Sequence, residues 1–385
     1  MTYGFAIFHR YCRIIPSYLI AILIYWKIVT LTGSGPLWQD LIDRSADCQY
    51  LWRNMLFIDN LFSLWGDSKY CFGWGWYLSN DFQLFILSLL IIFIYALKPI
   101  VGKIFIVLSI MGTSAAGLIV AYNGHFRLFP YVIDGYGVYD FMNEYYYKPY
   151  CRAPPYLLGL FLGVLYKEYV NAQKELEENK INHNKTLFAS LRRKFEKSDM
   201  IRMFFYASGL FIILFLSFFQ RQVQLDQNNL SDTFQLIFIS FQRLLYVFGL
   251  SLFLMNNFIY KKDIVGKFLS WKPFGVITKL NFCAYLVHYF IIERSMLNVK
   301  QATYYNAENI FYFFFTDFIF TIILSSLLSL CVEIPFVNLE RFLKGGKREH
   351  NKKTNGQQIN EKSKSLPTSD EANDELKKTE VKEKD

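Results

Sequence analysis

The stretch IFIVLSIMGTSAAGLIVAY, Ile104 to Tyr122, runs without one charged side chain. A helix rises about 1.5 Å per residue and needs roughly 20 apolar residues to cross about 30 Å of hydrocarbon, so such a run reads as a membrane span. Comparable runs stand on either side of it: Ile14 to Leu31, Trp76 to Leu97, Ala153 to Tyr169, Met203 to Phe219, Thr233 to Ile259, Phe274 to Ile292 and Ile310 to Phe336. None alternates apolar and polar residues as a barrel strand must, and only helices or closed barrels satisfy their backbone in lipid. The expected fold is all-α, a polytopic transmembrane helical bundle of about eight spans. Composition agrees, because a chain that is 53% hydrophobic and 19% aromatic cannot confine its apolar residues to one face of each element.

The formal net charge of +9 raises the question of nucleic acid, but the basic residues lie between the apolar runs and follow a membrane rule instead. No nucleic-acid partner is expected; membrane lipids are. Placing Arg10 and Arg13 in the cytosol sends Lys98, Lys103, the basic stretch Lys167 to Arg202 and Lys261 to Lys279 to the same side. The other side receives Arg44, Arg53, Lys69, Arg127, Lys148, Arg152, Arg221, Arg294 and Lys300, a bias of roughly two to one toward the cytosol. The expectation is an integral membrane protein of the plasma membrane or an endomembrane, with N and C termini cytosolic. The membrane domain is taken as residues 1–343, with an external loop at 32–75 and a cytosolic loop at 171–199. Within the first loop Leu51 to Phe62 reads as a short buried or interfacial helix. Within the second, Leu187 to Phe195 reads as a helix that either lies on anionic lipid or connects spans through solvent. From Lys344 to Asp385 the chain has too few apolar residues to fold, and a disordered tail is expected. The residues before His9, Arg10 and Arg13 do not read as a cleavable signal peptide, so the first span is expected to act as its own targeting signal unless the true start lies upstream.

Ionisable residues in or at the mouth of a membrane bundle are costly, which makes each a functional candidate. Arg10 and Arg13, three apart, share a helix face and offer adjacent donor forks suited to phosphate oxygens; snorkelling to head groups is the alternative. Asp81 follows the aromatic sequence Cys71-Phe72-Gly73-Trp74-Gly75-Trp76-Tyr77 and enters its span within two turns, where a carboxylate needs a cation, a raised pKa or water. His288 falls well inside the seventh span, either hydrogen-bonded structurally or facing a substrate. Glu333 and Pro335 mark the cytosolic end of the last span. Cys48 and Cys71 fall in one external loop, where an oxidising compartment permits a disulfide. Cys12, Cys151, Cys283 and Cys331 read as small apolar residues in or beside spans. The chain has no phosphate-binding glycine loop, no paired Cys-x-x-Cys and no His-Glu-x-x-His, so neither a metal nor a bound cofactor is expected.

In order and wording these segments resemble the membrane-bound acyltransferase-3 superfamily, in its nose-resistant-to-fluoxetine branch. The resemblance is carried by Arg10, Arg13 and Pro16; by Cys71, Gly73, Trp74, Trp76, Tyr77, Leu78 and Asp81; by Lys148, Pro149, Arg152, Pro155, Tyr156, Leu157 and Gly159; by Tyr285, Leu286 and His288; and by Glu333, Pro335, Leu339 and Glu340. It implies transfer of an acyl group from a cytosolic acyl-CoA-type co-substrate to a hydroxyl acceptor at or across the membrane. It also implies that Arg10 and Arg13 hold the donor's phosphates and that the catalytic residues include Asp81 and His288. Trp76, Tyr77, Arg152 and Tyr285 would line an acceptor pocket, and Cys48 and Cys71 would pair as a disulfide. The alternative is a non-enzymatic membrane protein that transports or presents lipids or small amphiphiles. The superfamily's characteristic Arg and His lie on a helix upstream of the arginine pair, so an N-terminally incomplete and inactive member is expected. Two glycosylation sequons, at Asn184 and Asn229, fall on the cytosolic and external sides respectively.

Overall fold

In the computed structural model the apolar runs are helices. The structure describes residues 3–65, 69–126, 140–177, 186–225, 230–260, 264–301, 304 and 306–345. Asn184 and Asn229 of the two sequons, Arg127, Lys261, Lys262 and the chain beyond residue 345 lie outside them. Two units are distinguished, Met1–Ser326 and Leu327–Asp385. Among the described residues seven helices are long and apolar enough to cross a membrane, which makes this an integral membrane protein. Among the described residues there is no strand.

The chain opens with α1 (Tyr3–Lys27). The external loop carries α2 (Trp38–Ala46) and α3 (Leu51–Met55) before α4 (Trp76–Leu97). Lys98 is extended and Pro99 opens α5 (Pro99–Asn123), a tight turn in which Gly102 meets the Tyr95 backbone. There follow α6 (Pro149–Glu177), α7 (Leu187–Lys197), α8 (Asp199–Leu225), α9 (Asp232–Ile259), α10 (Ile264–Leu269), α11 (Lys272–Leu297) and α12 (Ala307–Leu328). The remaining expected span, Ala153 to Tyr169, lies within α6. That helix packs against α5, α9 and α4, and its Ala153, Leu157 and Val164 meet Leu84 and Ile91 of α4 and Ile106 of α5. The second unit contains a π turn at Ser329–Glu333 and α13 (Ile334–Gly345), so the helix runs just past the expected start of the tail. Ser329 donates to Glu333 at 3.0 Å there.

One loop expectation changes. Leu51 to Phe62 is not one helix. It breaks after α3 at Phe57, whose φ of 56° is a left-handed conformation that a bulky residue adopts only where packing compels it. The compulsion is visible: Phe57 is fully buried and stacks on Phe82 and Tyr18, with centroids 4.6 and 5.9 Å away. In the basic segment the expected helix forms as α7, and its apolar face is seated on the bundle. Thr186 caps α7 by accepting from the Ala189 amide at 3.3 Å, and Phe188, Ala189 and Phe195 bury against Tyr169 and Ile259. Of the four free cysteines, Cys151 and Cys283 are buried, Cys12 is half-buried and Cys331 is exposed.

Candidate functional site

The site follows from how deep α4 begins. α1 runs antiparallel to α4 over its first half: Tyr3 meets Phe93 at 5.4 Å, Arg10 lies 4.2 Å over Phe85 and Tyr11 meets Phe82 at 6.1 Å. Past Ser17 the partner changes. Tyr18 and Tyr25 pack on Phe72 of the external loop, and Tyr25 on Trp74. Gly75, at the head of α4, lies against the Tyr18 hydroxyl, and a Cβ there would stand 2.2 Å from it. The loop therefore descends beside α1 through the stretch from Lys27 to Tyr18, about 13 Å of helix rise, before α4 starts. Asp81 is thus carried deeper than its place in the sequence suggests. Its Oδ2 receives Arg10 Nη2 at 2.5 Å, a charge-assisted pair that supplies the cation this carboxylate requires. Arg13, by contrast, is exposed, so the structure does not bring the two arginines to one partner.

A buried polar network holds the descending loop. Ser79 donates to Asp59, Asn54 donates to Tyr18 at 3.0 Å and to Asp59 at 3.3 Å, and Asn60 donates to Asn80 at 2.9 Å. Gln83 donates to the Phe57 carbonyl at 2.7 Å, and Lys148 Nζ to the Asn60 carbonyl at 2.7 Å. Burial pushes the Asp59 carboxyl up to about 6, against the lowering effect of the Ser79 bond. It pushes Lys148 down to about 8, opposed by Glu144. Cys48 and Cys71 are joined with an S–S distance of 2.09 Å and close the same loop. Arg44 of α2 then reaches Glu293 of α11 at 2.5 Å, and Arg294 donates to Thr32 at 3.0 Å, tying the loop to the end of that helix.

Around the head of α4 four further candidates converge. Tyr77 stands within electrostatic reach of Asp81, Arg152 and Arg10 and is 54% exposed, so the cluster is accessible there. Arg152 lies over Trp76 at 4.7 Å and Tyr146 at 4.0 Å. On the other flank Tyr77 meets Tyr285 at 5.6 Å, and Tyr285 donates to the Trp74 carbonyl. His288 follows one turn on, its ring 5.7 Å from that of Tyr285. Its Nδ1 is 2.8 Å from the Tyr285 carbonyl, which can only accept, so the neutral ring carries its proton there and leaves Nε2 as acceptor. His288 opens onto a cavity of about 600 Å³ between α11 and α12, lined mainly by apolar groups such as Ile292, Met296 and Phe313, with Asn309 and Asp317 among its polar points. Asp317 accepts from Ser295 at 2.5 Å.

Sequence reasoning missed Arg243, which lies in the middle of α9 with its guanidinium 5.2 Å over Tyr146. Its signal was present, since an arginine inside the Thr233 to Ile259 run is itself an intramembrane charge. The Asn54, Asp59 and Asn60 network had no such signal, because polar residues in a loop are ordinary until the loop is found buried.

With this geometry in view, comparison with known proteins gives two matches. The acyltransferase-3 family, described as an acyltransferase domain, matches residues 1–333. Nose resistant to fluoxetine protein 6 of Caenorhabditis elegans is 25% identical over 318 residues, covering 78% of this chain and 35% of its own length. The chain thus spans about a third of the length of that curated relative. No solved structure matches it.

Proposed function

The chain belongs to the acyltransferase-3 family, and from that premise we propose that it moves an acyl group from an acyl-CoA-type donor on the cytosolic side to a hydroxyl acceptor at or across the membrane. The observation that carries this reading is the juxtaposition of the Arg10–Asp81 pair, through Tyr77 and Tyr285, with His288 and its largely apolar cavity. Acyl transfer joins the acceptor oxygen to the thioester carbonyl carbon, releases the CoA thiolate and moves the hydroxyl proton to a base, while the intermediate's oxyanion needs donors. Arg10 is the charged donor at the centre of the cluster, and Arg13, exposed on the same helix, is free to meet donor phosphates. His288 presents Nε2 as a proton acceptor at the cavity, and Asp81 fixes the Arg10 guanidinium. Trp76, Tyr77, Arg152 and Tyr285 form the acceptor wall.

The test is transfer of labelled acyl groups from CoA by the full-length protein in sealed vesicles, with Asp81→Asn and His288→Ala compared at equal folded amounts. Loss of at least about a hundredfold in each variant, the scale of removing a positioned proton-transfer group or oxyanion donor, is expected. A parent protein that moves lipid between leaflets and never cleaves the thioester would instead establish the carrier alternative.

A further inference from the structure

Arg152 and Arg243 are a second basic site, separate from the Arg10–Asp81 pair and without a carboxylate of its own. Arg152 sits in the first turn of α6 and Arg243 at mid-length in α9, brought together because Tyr145 donates to the Ile239 carbonyl at 2.9 Å and anchors the segment before α6 on α9. Both guanidinium groups lie on the same Tyr146 ring, at 4.0 and 5.2 Å, and their charges repel. Arg152 spends one donor, Nε, on the Tyr146 carbonyl at 2.9 Å. Its Nη2 is buried with no hydrogen-bond partner, and so is Nη1 of Arg243. Among the described residues neither arginine forms an ion pair.

Holding two like charges side by side in a membrane bundle, each with a desolvated and unsatisfied donor, costs energy on three counts: repulsion, desolvation and lost hydrogen bonds. Aromatic faces recover part of it by cation–π attraction, but they leave the in-plane N–H donors unused. An oxyanion set between the forks would satisfy all three at once. A phosphomonoester suits the pair best, since its charge of about −1.5 to −2 matches two guanidinium groups and its oxygens accept from both. Arg152 also adjoins Trp76, and its charge reaches Tyr77, so a group bound there is anchored beside the reacting cluster.

We propose that Arg152 and Arg243 bind a phosphomonoester carried by the acyl acceptor, making the acceptor a phosphorylated, lipid-like alcohol whose hydroxyl is presented toward Tyr77 and Asp81. This rests on the acyl-transfer reading of the cluster for its direction, but the anion site itself does not. The competing source of the same chemistry is the phosphate of the CoA-type donor.

The experiment uses the full-length protein in phosphatidylcholine nanodiscs and follows its thermal midpoint with three probes: lysophosphatidic acid, the uncharged monoacylglycerol of the same chain, and acyl-CoA. Lysophosphatidic acid should raise the midpoint and monoacylglycerol should not. Arg243→Gln should abolish the first response and leave the acyl-CoA response intact, with Arg243→Lys weakening lysophosphatidic acid at least about tenfold through loss of the planar fork. Because the substitution relieves repulsion, unliganded Arg243→Gln should melt no lower than the parent. A lower midpoint would identify Arg243 as a structural residue and overturn the site. Loss of the acyl-CoA response instead would reassign the phosphate to the donor and overturn the acceptor proposal. Equal responses of parent and variant to lysophosphatidic acid would likewise overturn it. Binding through the pair without acyl transfer from CoA would preserve the anion site and sink the transferase reading.

Discussion

Asp59 and the Arg10–Asp81 pair show how depth changes the meaning of a charge. Burial raises the folded-state value of Asp59 to about 6, above the roughly 3.9 of an unfolded aspartate, so the folded protein holds this proton more tightly. Its contribution to stability is therefore complete below the unfolded value and is lost as pH rises through about 6, a difference on the order of 3 kcal/mol. The parent should gain thermal stability through this group on acidification from pH 7 to pH 5. Asp59→Asn should flatten that part of the profile, and parallel profiles in detergent melts would show that Asp59 titrates normally. For Arg10 and Asp81, each about a third exposed, loss of one partner by Asp81→Ala should cost about 1–3 kcal/mol. The charge-exchanged double variant Arg10→Asp with Asp81→Arg should recover most of that stability, as read by urea unfolding, and none of the transfer activity. Both residues were legible as candidates because charges stand out in apolar sequence. Their pairing was not, since it depends on α4 starting well below the end of α1, and nothing in a loop's composition says that it descends. Arg13 illustrates the converse: spacing puts it on the face of Arg10, yet only Arg10 faces α4.

At the level of elements, apolar length identified the spans, while the contacts that fix them are matters of shape. The most extensive pairing is α8 with α9, and Gly209 and Gly249 lie at its crossing. A Cβ on Gly209 would stand 2.6 Å from the Phe253 amide nitrogen and 2.7 Å from the Gly249 carbonyl, backbone atoms that cannot swing aside. Close backbone approach through small residues is a general means of joining helices in lipid. Gly209→Leu should therefore force the pair apart at a cost of at least about 1–3 kcal/mol, whereas Gly112→Leu on α5, with nothing within 4 Å, should be tolerated. Equal midpoints for the two variants would refute this account of the crossing. The loop elements were the least legible. The basic helix α7 was visible from its pattern of Phe and Arg, but its seat on Tyr169 and Ile259 required the tertiary structure. In the external loop, the Cys48–Cys71 closure constrains the segment bearing Asp59 and Phe57. Cys48→Ser with Cys71→Ser should cost about 3 kcal/mol by the chain-entropy relation and should loosen the loop to protease while leaving the α8–α9 pair intact.

At the scale of the whole molecule, sidedness is a prediction that joins the charge bias to the contacts of α6. The disulfide-closed loop packs at the start of α6, where Lys148 meets Asn60, while the basic helix α7 packs near Tyr169 toward the other end of α6. Twenty-one residues of helix separate those levels, about 30 Å at 1.5 Å each, which is the thickness of the hydrocarbon core. On this separation we propose one orientation, with the disulfide on the oxidising side and Arg192, Arg193, Lys194 and Lys197 toward the cytosol. In a background in which Cys12, Cys151, Cys283 and Cys331 are replaced, Trp52→Cys and Lys194→Cys each supply one exposed thiol, on α3 and α7 respectively. An impermeant maleimide applied to sealed microsomes, whose outer face is cytosolic, should label Lys194→Cys at once and Trp52→Cys only after detergent opens the vesicles. The Asn184 sequon, beside α7 in sequence, should carry no glycan in the same preparation. Immediate labelling at Trp52→Cys with protection at Lys194→Cys would invert the protein in the membrane, placing the reducing cytosol over Cys48 and Cys71 and removing the cytosolic approach assigned to the acyl donor.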